Sequence, residues 1–304
     1  MEKYEYHIDV SNIDVSKLPA RNRADDFRKL WYKFSLNKLS VVGLVIVLAV
    51  SFIALFYKQI APYPDHIGAY IDFSQASQAP SATNLFGTDV VGRDVLSRVM
   101  YAFRGALYMG FFAVCIIVPI GGVLGLIAGY FSGRFISTLI MRVADVFLAL
   151  PALILVMYVS SILEPSLRNA MLAISVSWWP WYTRLVYGCV TSTRNEVFVQ
   201  SAEVLGASSF HILFREILPN AMAPIFTKMT LDVGVAILAG ATLSFVGMGE
   251  QPPTPSLGAM VSDGVGYLPD QWWLSVFPAL AIMVIVLGFN ILGDGIKDML
   301  SNEE

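Results

Sequence analysis

The chain has 304 residues, of which 56% are hydrophobic and only 14% are charged. Soluble domains carry about 25% charged residues and disordered chains have low hydrophobicity, so the composition excludes disorder and disfavours a single soluble globule. The net charge of -3 provides no basic field for nucleic acid. With a mean hydropathy of +0.63, the chain is predicted to be an all-α protein that crosses a membrane several times.

Residues 1–38 form a charged N-terminal tail. Because a long polar stretch precedes the first apolar run, the N-terminus does not resemble a cleavable signal peptide. Trp31 and Phe34 stand just before that run, which predicts an interfacial helix at the end of the tail.

Uncharged runs predict the spanning helices, since a span needs about 20 mostly apolar residues. The fourth helix must carry Arg168 or Arg184 near a membrane face, and the fifth carries Lys228 and Asp232 inside it. The six predicted helices cover 40–57, 106–130, 139–161, 168–188, 221–247 and 273–293. They give a transmembrane domain at 39–298, outer loops at 58–105 and 248–272, an inner loop at 189–220, and a cytoplasmic C-terminus at 299–304.

The distribution of lysine and arginine orients these helices. With a cytoplasmic N-terminus, 14 of the 20 lysine and arginine residues fall on the inner side and five on the outer side. Cytoplasmic segments carry an excess of such residues. The sequence therefore predicts that both termini are cytoplasmic.

Motifs for catalysis or nucleotide binding are absent from the sequence. There is no GxxxxGK[ST] phosphate loop, no GxSxG elbow, and the three histidines are scattered. Cys115 and Cys189 lie in apolar surroundings and suit small buried hydrophobes. We therefore expect no enzyme activity and no catalytic, cofactor-binding or metal site in this chain.

The inner loop has apolar residues at helical spacing on both sides of Gly206. This pattern predicts a helix, a glycine break and a second helix that Pro219 ends before the next span. A hairpin that only rests on lipid is the simpler alternative. The polar face is mixed rather than basic, which favours a protein partner over lipid headgroups; it holds Gln200, Glu203, His211, Arg215 and Glu216.

This segment resembles the EAA loop of ABC importer permeases, whose pattern is EAA-x3-G-x9-I-x-LP. Gly206, Leu218 and Pro219 match in register, whereas Gln200 replaces the usual glutamate and Ser201 the first alanine. The resemblance implies that the loop inserts into a groove of an ATPase subunit. The candidate coupling residues are Gln200, Ser201, Ala202, Glu203, Gly206, Arg215, Leu218 and Pro219.

Four further blocks resemble the C-type permease of oligopeptide, dipeptide and nickel importers. They read NLFGTDVVGRDVLSR at 84–98, MRVADVFLALP at 141–151, LSFVGMGEQPP at 243–253 and FNILGDGIKD at 289–298. The resemblance implies a six-helix, binding-protein-dependent (type I) importer permease in the cytoplasmic membrane of a bacterium or archaeon. Its implied partners are a second, B-type permease, two ATPase subunits that hold ATP and Mg²⁺, an extracytoplasmic binding protein and membrane lipid.

The resemblance leaves several substrates open. Peptides come first, and nickel chelates and glutathione use permeases of the same type. An ion-coupled secondary transporter with Lys228 and Asp232 as its coupling site would need internal repeats, which the sequence lacks. A membrane enzyme would need a reactive constellation, which is also missing.

The outer-face motif combines glycines for tight turns with a group of charges. Its candidate residues are Gly87, Thr88, Asp89, Gly92, Arg93 and Asp94. We expect Asp89, Arg93, Asp94 and Arg98 to form a local ion-pair network. Two roles remain open: a capped turn that leads into the second span, or a contact to the binding protein or a gate.

Charged residues within or bordering the spans form two predicted pairs. Arg142 and Asp145 are three residues apart and share a helix face near the inner boundary, before Pro151 kinks the helix. Lys228 and Asp232 are four apart, so they also pair. The second pair either faces neighbouring helices or lines the pathway.

Small and aromatic residues in two of the spans suggest helix contacts. Gly121, Gly125 and Gly129 recur at four-residue spacing, which permits close helix approach within one subunit or between two. A tryptophan cluster around Pro180 is an interface anchor or a pathway lining.

Overall fold

The computed structural model describes residues 23–300, except for the side chains of residues 23–27. Within that range the ordered elements are helices and turns, apart from one isolated bridge between Thr88 and Asp94. The tail residues 1–22 and the last residues 301–304 lie outside the described part, so most of the predicted cytoplasmic tail is not covered. The helices are α1 (Arg23–Leu36), α2 (Lys38–Ile60), α3 (Val95–Tyr130), α4 (Phe135–Leu148), α5 (Ala152–Ile162), α6 (Leu167–Thr193), α7 (Val197–Val204), α8 (Ser209–Phe245), α9 (Leu257–Val265) and α10 (Trp273–Leu300).

Four of these helices are long and apolar enough to cross a membrane, namely α2, α3, α8 and α10. A fifth span results if α4 and α5, which meet at an angle of 89°, are taken as one broken helix. The predicted fourth span corresponds to α6, whose 27 residues include two arginines and many hydroxyl side chains and fall short in hydropathy. The described residues thus contain four or five candidate spans by length and composition, against the six predicted.

The predicted third span is divided in two. A single helix over 139–161 with a kink at Pro151 was the expectation, but α4 ends at Leu148 and α5 begins at Ala152. Proline has no N–H to donate and disfavours helical geometry in the residue before it. Pro151 therefore ends one helix and starts the next in extended geometry, with φ -58° and ψ 122°.

The helix α3 begins eleven residues before the predicted span. Asp94 caps it, and the Asp94 carboxylate accepts the Ser97 N–H at 2.8 Å. An aspartate at this position satisfies one of the unpaired N–H groups of the first turn. The outer loop predicted at 58–105 therefore ends at Asp94, and the later loop at 248–272 contains the short helix α9.

The long helices pack side by side, with α3 against α6 and α8, and α10 against α8 and α2. The three spaced glycines of α3 face α6: a Cβ atom on Gly121 would lie 2.5 Å from the Trp179 carbonyl oxygen, and one on Gly125 would lie 2.7 Å from that of Thr183. A Cβ on Gly129 would lie 2.6 Å from Val190. The glycine stripe thus serves an approach of two helices within this chain.

Candidate functional sites

The inner loop forms a compact unit of two helices joined by Gly206. The helix α7 ends in a glycine motif in which Gly206 has φ +83°, its N–H donates to Glu203 O at 3.0 Å, and the Ala207 N–H donates to Ala202 O at 3.0 Å. This pair of bonds satisfies the last carbonyls of a helix and requires left-handed geometry at the glycine. The Ser208 hydroxyl then caps α8 by accepting the His211 N–H at 3.3 Å.

One side of this unit is anchored to the membrane helices and the other is open. Val199, Ile212 and Ile217 are fully buried and pack with the C-terminal ends of α3 and α6. Val204, Leu205 and Phe210 are 88%, 87% and 70% exposed. Exposed apolar side chains of this kind are typical of sites that contact another protein or the membrane.

Some of the predicted coupling residues bond to the backbone of their own helix, and others are exposed on the surface. The Gln200 side chain donates to Asn195 O at 3.2 Å, and the Ser201 hydroxyl donates to Val197 O at 2.8 Å. Both groups are therefore used in the local fold. Ala202 is half-buried, whereas Glu203 and Arg215 are exposed.

The prediction that Pro219 ends the second loop helix was wrong. Helix α8 is continuous from Ser209 to Phe245 and passes through Leu218 and Pro219. A π-helical turn at Ile212–Ile217 precedes the proline, and the Leu218 N–H bonds to Leu213 O. The wider turn shifts the hydrogen-bond ladder by one residue, so that the missing N–H of Pro219 is accommodated without a break. The loop is thereby rigidly joined to a candidate span.

Asp89 is the centre of the outer-face motif. Its carboxylate accepts the Arg93 Nε–H at 2.7 Å and the Arg93 backbone N–H at 2.8 Å, and it lies 3.8 Å from the Arg98 Nε. Asp94 does not join this network, because its carboxylate accepts from Ser97 and from the Asn84 side chain at 2.9 Å. The expected four-charge network is thus a three-charge network beside a helix cap.

The glycines of the motif allow close backbone approach. Gly87 and Gly92 have φ +72° and +88°, and a Cβ on Gly87 would lie 2.6 Å from Gln78 O. The Thr88 carbonyl accepts the Trp273 Nε1–H at 3.2 Å, which ties the motif to the start of α10. The motif is a capped turn that joins two distant segments.

A cleft of about 200 Å³ lies between this motif and α9. Asp89, Arg93 and Arg98 line one wall, and Asp263 and Tyr267 line the other. Burial raises the pKa of the Asp263 carboxyl, with the nearby Arg98 acting in the opposite direction. Sequence reasoning missed Asp263, because no spacing relates it to a motif that lies far away in the chain.

His66 connects the outer loop to the start of α3. Its ring stacks between Tyr63 and Tyr70, with centroid distances of 4.9 and 3.9 Å, and its Nδ1 accepts the Asp94 N–H at 3.0 Å. An acceptor nitrogen must be unprotonated. Burial lowers the pKa of His66 below 6.5 even though several aspartates oppose that effect.

The stability of the outer segment is expected to decrease as the pH falls below about 6.5. The unfolded chain takes up a proton at His66 more readily than the folded one, so stability is complete above the unfolded pKa and declines down to the folded pKa. In His66→Asn the Oδ1 atom keeps an acceptor, but the titration is removed. Thermal unfolding of both proteins between pH 5 and pH 7.5, values chosen to bracket about 6.5, measures the difference; an identical pH dependence would contradict the assignment.

Lys228 and Asp232 do pair within α8. The Lys228 Nζ lies 3.0 Å from Asp232 Oδ2 and 5.5 Å from the centre of the Tyr182 ring, which α6 contributes. The two side chains are 31% and 15% exposed. The pair therefore lies at the edge of the helix bundle rather than in its centre.

The expected pair of Arg142 and Asp145 is replaced by another. Asp145 of α4 forms its ion pair with Arg184 of α6, and both side chains are partly exposed. Arg142 points outward. Spacing within one helix suggested Arg142, but Arg184 reaches Asp145 only because α4 packs on α6.

The tryptophan cluster around Pro180 divides between two environments. Trp181 is half-exposed, while the Trp179 ring packs edge-on against Phe147 at 5.5 Å. Tyr182 is fully buried beneath Lys228. Within residues 23–300, no group of three or more His, Cys, Asp or Glu side chains is arranged as metal ligands would be.

Two family models match the chain. Residues 121–303 match the binding-protein-dependent transport system inner membrane component. Residues 27–80 match the N-terminal TM domain of oligopeptide transport permease C.

Curated relatives cover nearly the whole chain. The dipeptide transport system permease protein DppC of Escherichia coli (strain K12) is 43% identical over 283 residues, which is 90% of this chain and 92% of the relative. DppC of Haemophilus influenzae is 40% identical over 90% of this chain and 93% of its own length. The glutathione transport system permease protein GsiD of Pectobacterium atrosepticum is 34% identical over 90% of both chains.

A solved structure has a similar fold. A chain of the inward-facing MetNI methionine ABC transporter (CY5 native crystal form) superposes with a TM-score of 0.54 at 17% identity. The match covers 65% of this chain and 94% of that chain. At this identity the likeness concerns the fold alone.

Proposed function

The chain belongs to the family of binding-protein-dependent transport system inner membrane components, and we propose that it is the C-type permease subunit of an ABC importer for di- and oligopeptides. It is a membrane permease and not an enzyme, since its relatives over most of its length are permease proteins of transport systems. The observation that supports peptides as the substrate is the sequence identity to dipeptide permeases over nine-tenths of the chain. Membership of this family leaves no support for an ion-coupled secondary transporter.

ATP and Mg²⁺ bind to separate ATPase subunits in this proposal, and the unit at 197–219 docks on them. The rigid connection of α7 and α8 supports this role, because a force on the exposed Leu205 and Phe210 reaches a candidate span directly. The glycine turn at Gly206 sets the angle between the two docking helices. Gln200 stands where the EAA pattern has a glutamate, so the docking face carries one negative charge fewer but keeps its shape.

We place six spans in the membrane, with both termini in the cytoplasm. The additional span is α6, because its residues 179–190 lie along the glycine stripe of α3 and hence at the same depth. Its polar side chains are tolerated where they face other helices rather than lipid. The excess of lysine and arginine on the inner side supports the orientation of a bacterial or archaeal inner-membrane protein.

A second, B-type permease covers the face that carries the charges within and bordering the spans. Lys228, Asp145 and Arg184 are partly exposed in this chain alone. Charged groups at membrane depth face protein or a water-filled path, because exposure to lipid is costly. We therefore assign this face to the partner permease and the pathway between the two subunits.

The extracytoplasmic binding protein delivers substrate at the opposite end. The cleft between Asp89 and Asp263 lies on that side and offers charges of both signs. Such a mixture suits a polar, reversible contact, since charge complementarity sets orientation and association rate. The residues of the outer-face motif support the wall of this cleft.

Uptake of labelled peptides of graded length, in a strain deleted for this gene and complemented with it, tests the substrate. Peptide uptake that depends on the chain supports the proposal. The identity to GsiD makes glutathione the second candidate, so glutathione and a nickel chelate are tested as competitors. Uptake of either one without peptide uptake would overturn the peptide assignment but not the permease.

Gly206→Val is expected to reduce peptide uptake about tenfold and to weaken co-purification of the ATPase subunit. A residue with a Cβ atom is strained by about 1–2 kcal/mol in left-handed geometry, and a β-branched one more so. Gly206→Asn is the matched control, because asparagine tolerates this geometry and nothing lies within 4 Å of the added Cβ. Equal uptake by both variants would argue against a shape requirement at the docking unit.

A further inference from the structure

The helix α1 carries a basic face directly before the first span. Arg28, Tyr32 and Leu36 recur every four residues, and Lys29 and Lys33 stand one position further round. These five side chains are exposed and form one open patch on the surface. A single face of α1 thus combines three cations with an aromatic and an aliphatic side chain.

The opposite side of α1 is held by the protein. Phe34 is 5% exposed, and its ring lies against Gly295, where an added Cβ would approach it to 2.8 Å. The Asn37 side chain donates to Asp298 at 3.1 Å, which joins the end of α1 to the end of α10. The helix is therefore fixed in orientation, with its basic face left open.

The position of α1 places this face at the membrane surface. Only Asn37 separates α1 from α2, which is a candidate span beginning at Lys38. Tyr32 and Leu36 are 64% and 65% exposed. Exposed aromatic side chains at the end of a span favour the headgroup region.

The order of side chains around the helix suits a lipid surface. Tyr32 and Leu36 form the middle of the face, with Arg28 on one side and Lys29 and Lys33 on the other. An apolar centre enters the boundary of the acyl chains, while flanking lysine and arginine side chains extend to the phosphates.

The charge of the segment is one-sided. Residues 27–40 contain four lysine or arginine residues and no acidic residue. Asp25 and Asp26 precede this stretch in the sequence. Basic clusters next to a span on the cytoplasmic side attract anionic lipids.

We propose that the basic face of α1 binds the headgroups of anionic phospholipids in the leaflet on the N-terminal side, which is the cytoplasmic leaflet in the topology given above. This lipid site goes beyond the transport of peptides and does not depend on which substrate is carried. Lipid bound there holds α1 and the adjoining ends of α2 and α10 at a fixed depth.

The experiment compares two triple variants in the assembled complex. Arg28→Gln/Lys29→Gln/Lys33→Gln removes the charge, and Arg28→Lys/Lys29→Arg/Lys33→Arg keeps it. Binding of fluorescent phosphatidylglycerol to the complex in detergent, and retained lipid by native mass spectrometry, are measured against phosphatidylcholine. Because all three side chains are exposed, both variants should assemble.

The neutral variant is expected to bind phosphatidylglycerol about a hundredfold more weakly, because each removed cation weakens attachment to an anionic surface several-fold. The charge-preserving variant should match the unaltered complex, and added salt should weaken binding in both. The single change Lys33→Gln should give an intermediate affinity. Inorganic phosphate should not displace the lipid, since it offers nothing to Tyr32 and Leu36.

Three results would overturn the proposal. One is equal phosphatidylglycerol binding by the neutral and charge-preserving variants. Another is displacement of the lipid by inorganic phosphate alone, which would assign the face to a free anion. The third is loss of an ATPase subunit from the neutral variant with unchanged lipid binding, which would assign it to a protein contact. None of these results would affect peptide uptake as a test of the proposed function.

Discussion

Gly125→Val is expected to prevent stable assembly of the permease. The added Cβ would lie 2.7 Å from both the Thr183 carbonyl oxygen and the Val186 Cβ of α6, where the backbone itself must move. Overpacking of a tight core costs typically 1–3 kcal/mol, and we expect about 3 kcal/mol or more here because the obstacle is backbone. The amount of folded complex recovered from membranes and its thermal unfolding temperature measure the effect.

Gly122→Val provides the control within the same helix. It changes the same residue type three positions away, but no atom lies within 4 Å of its added Cβ. Its valine should therefore leave recovery and unfolding temperature nearly unchanged. Comparable losses in the two variants would mean that the glycines matter for helix flexibility rather than for contact with α6.

Asp232→Asn is expected to impair both assembly and uptake, because it leaves the Lys228 ammonium unpaired at membrane depth. A lone charge costs at most about 2.5–3.5 kcal/mol when it lies at the centre of a span, and removing one partner of a pair leaves the other charge uncompensated. Lys228→Met should likewise impair assembly and uptake, because it leaves the Asp232 carboxylate unpaired. Recovery of the complex and peptide uptake are measured separately for each variant.

The double variant Lys228→Met/Asp232→Asn separates structure from transport. Without either charge, assembly should recover to near the unaltered level. If the pair lines the pathway, peptide uptake should stay at least about tenfold reduced, a loss of about 1.4 kcal/mol. Full recovery of uptake would assign the pair a structural role and remove it from the pathway.

The periodic features of the fold could be predicted because they are local. The spans at 40–57 and 273–293 fall within α2 and α10, and Gly206 separates the loop helices as expected. The length of an apolar run and a glycine break between two helices can both be predicted from neighbouring residues alone. The break at Pro151 was expected only as a kink, since a proline says where a helix is interrupted and not by what angle.

The candidate sites were predicted less completely, because their members come from distant segments. Asp89 was identified with its arginines, but Asp263, which faces them across the cleft, was not. Asp145 was identified without Arg184. Pro219 was expected to end a helix. The π-helical turn before it lets the helix continue, and no residue type in the sequence indicates such a turn.

The sequence by itself determined that this is an all-helical membrane permease, where its apolar segments lie, and that Gly206 divides the loop between two of them into two helices. Hydrophobic run length, lysine and arginine distribution and motif spacing are properties of the chain that survive in any arrangement of its helices. The tertiary structure alone decided that the glycine stripe of α3 serves α6, that Arg184 holds Asp145, and that α1 turns its basic face outward. These depend on which helices become neighbours, and that follows from the packing of the whole bundle rather than from any one segment.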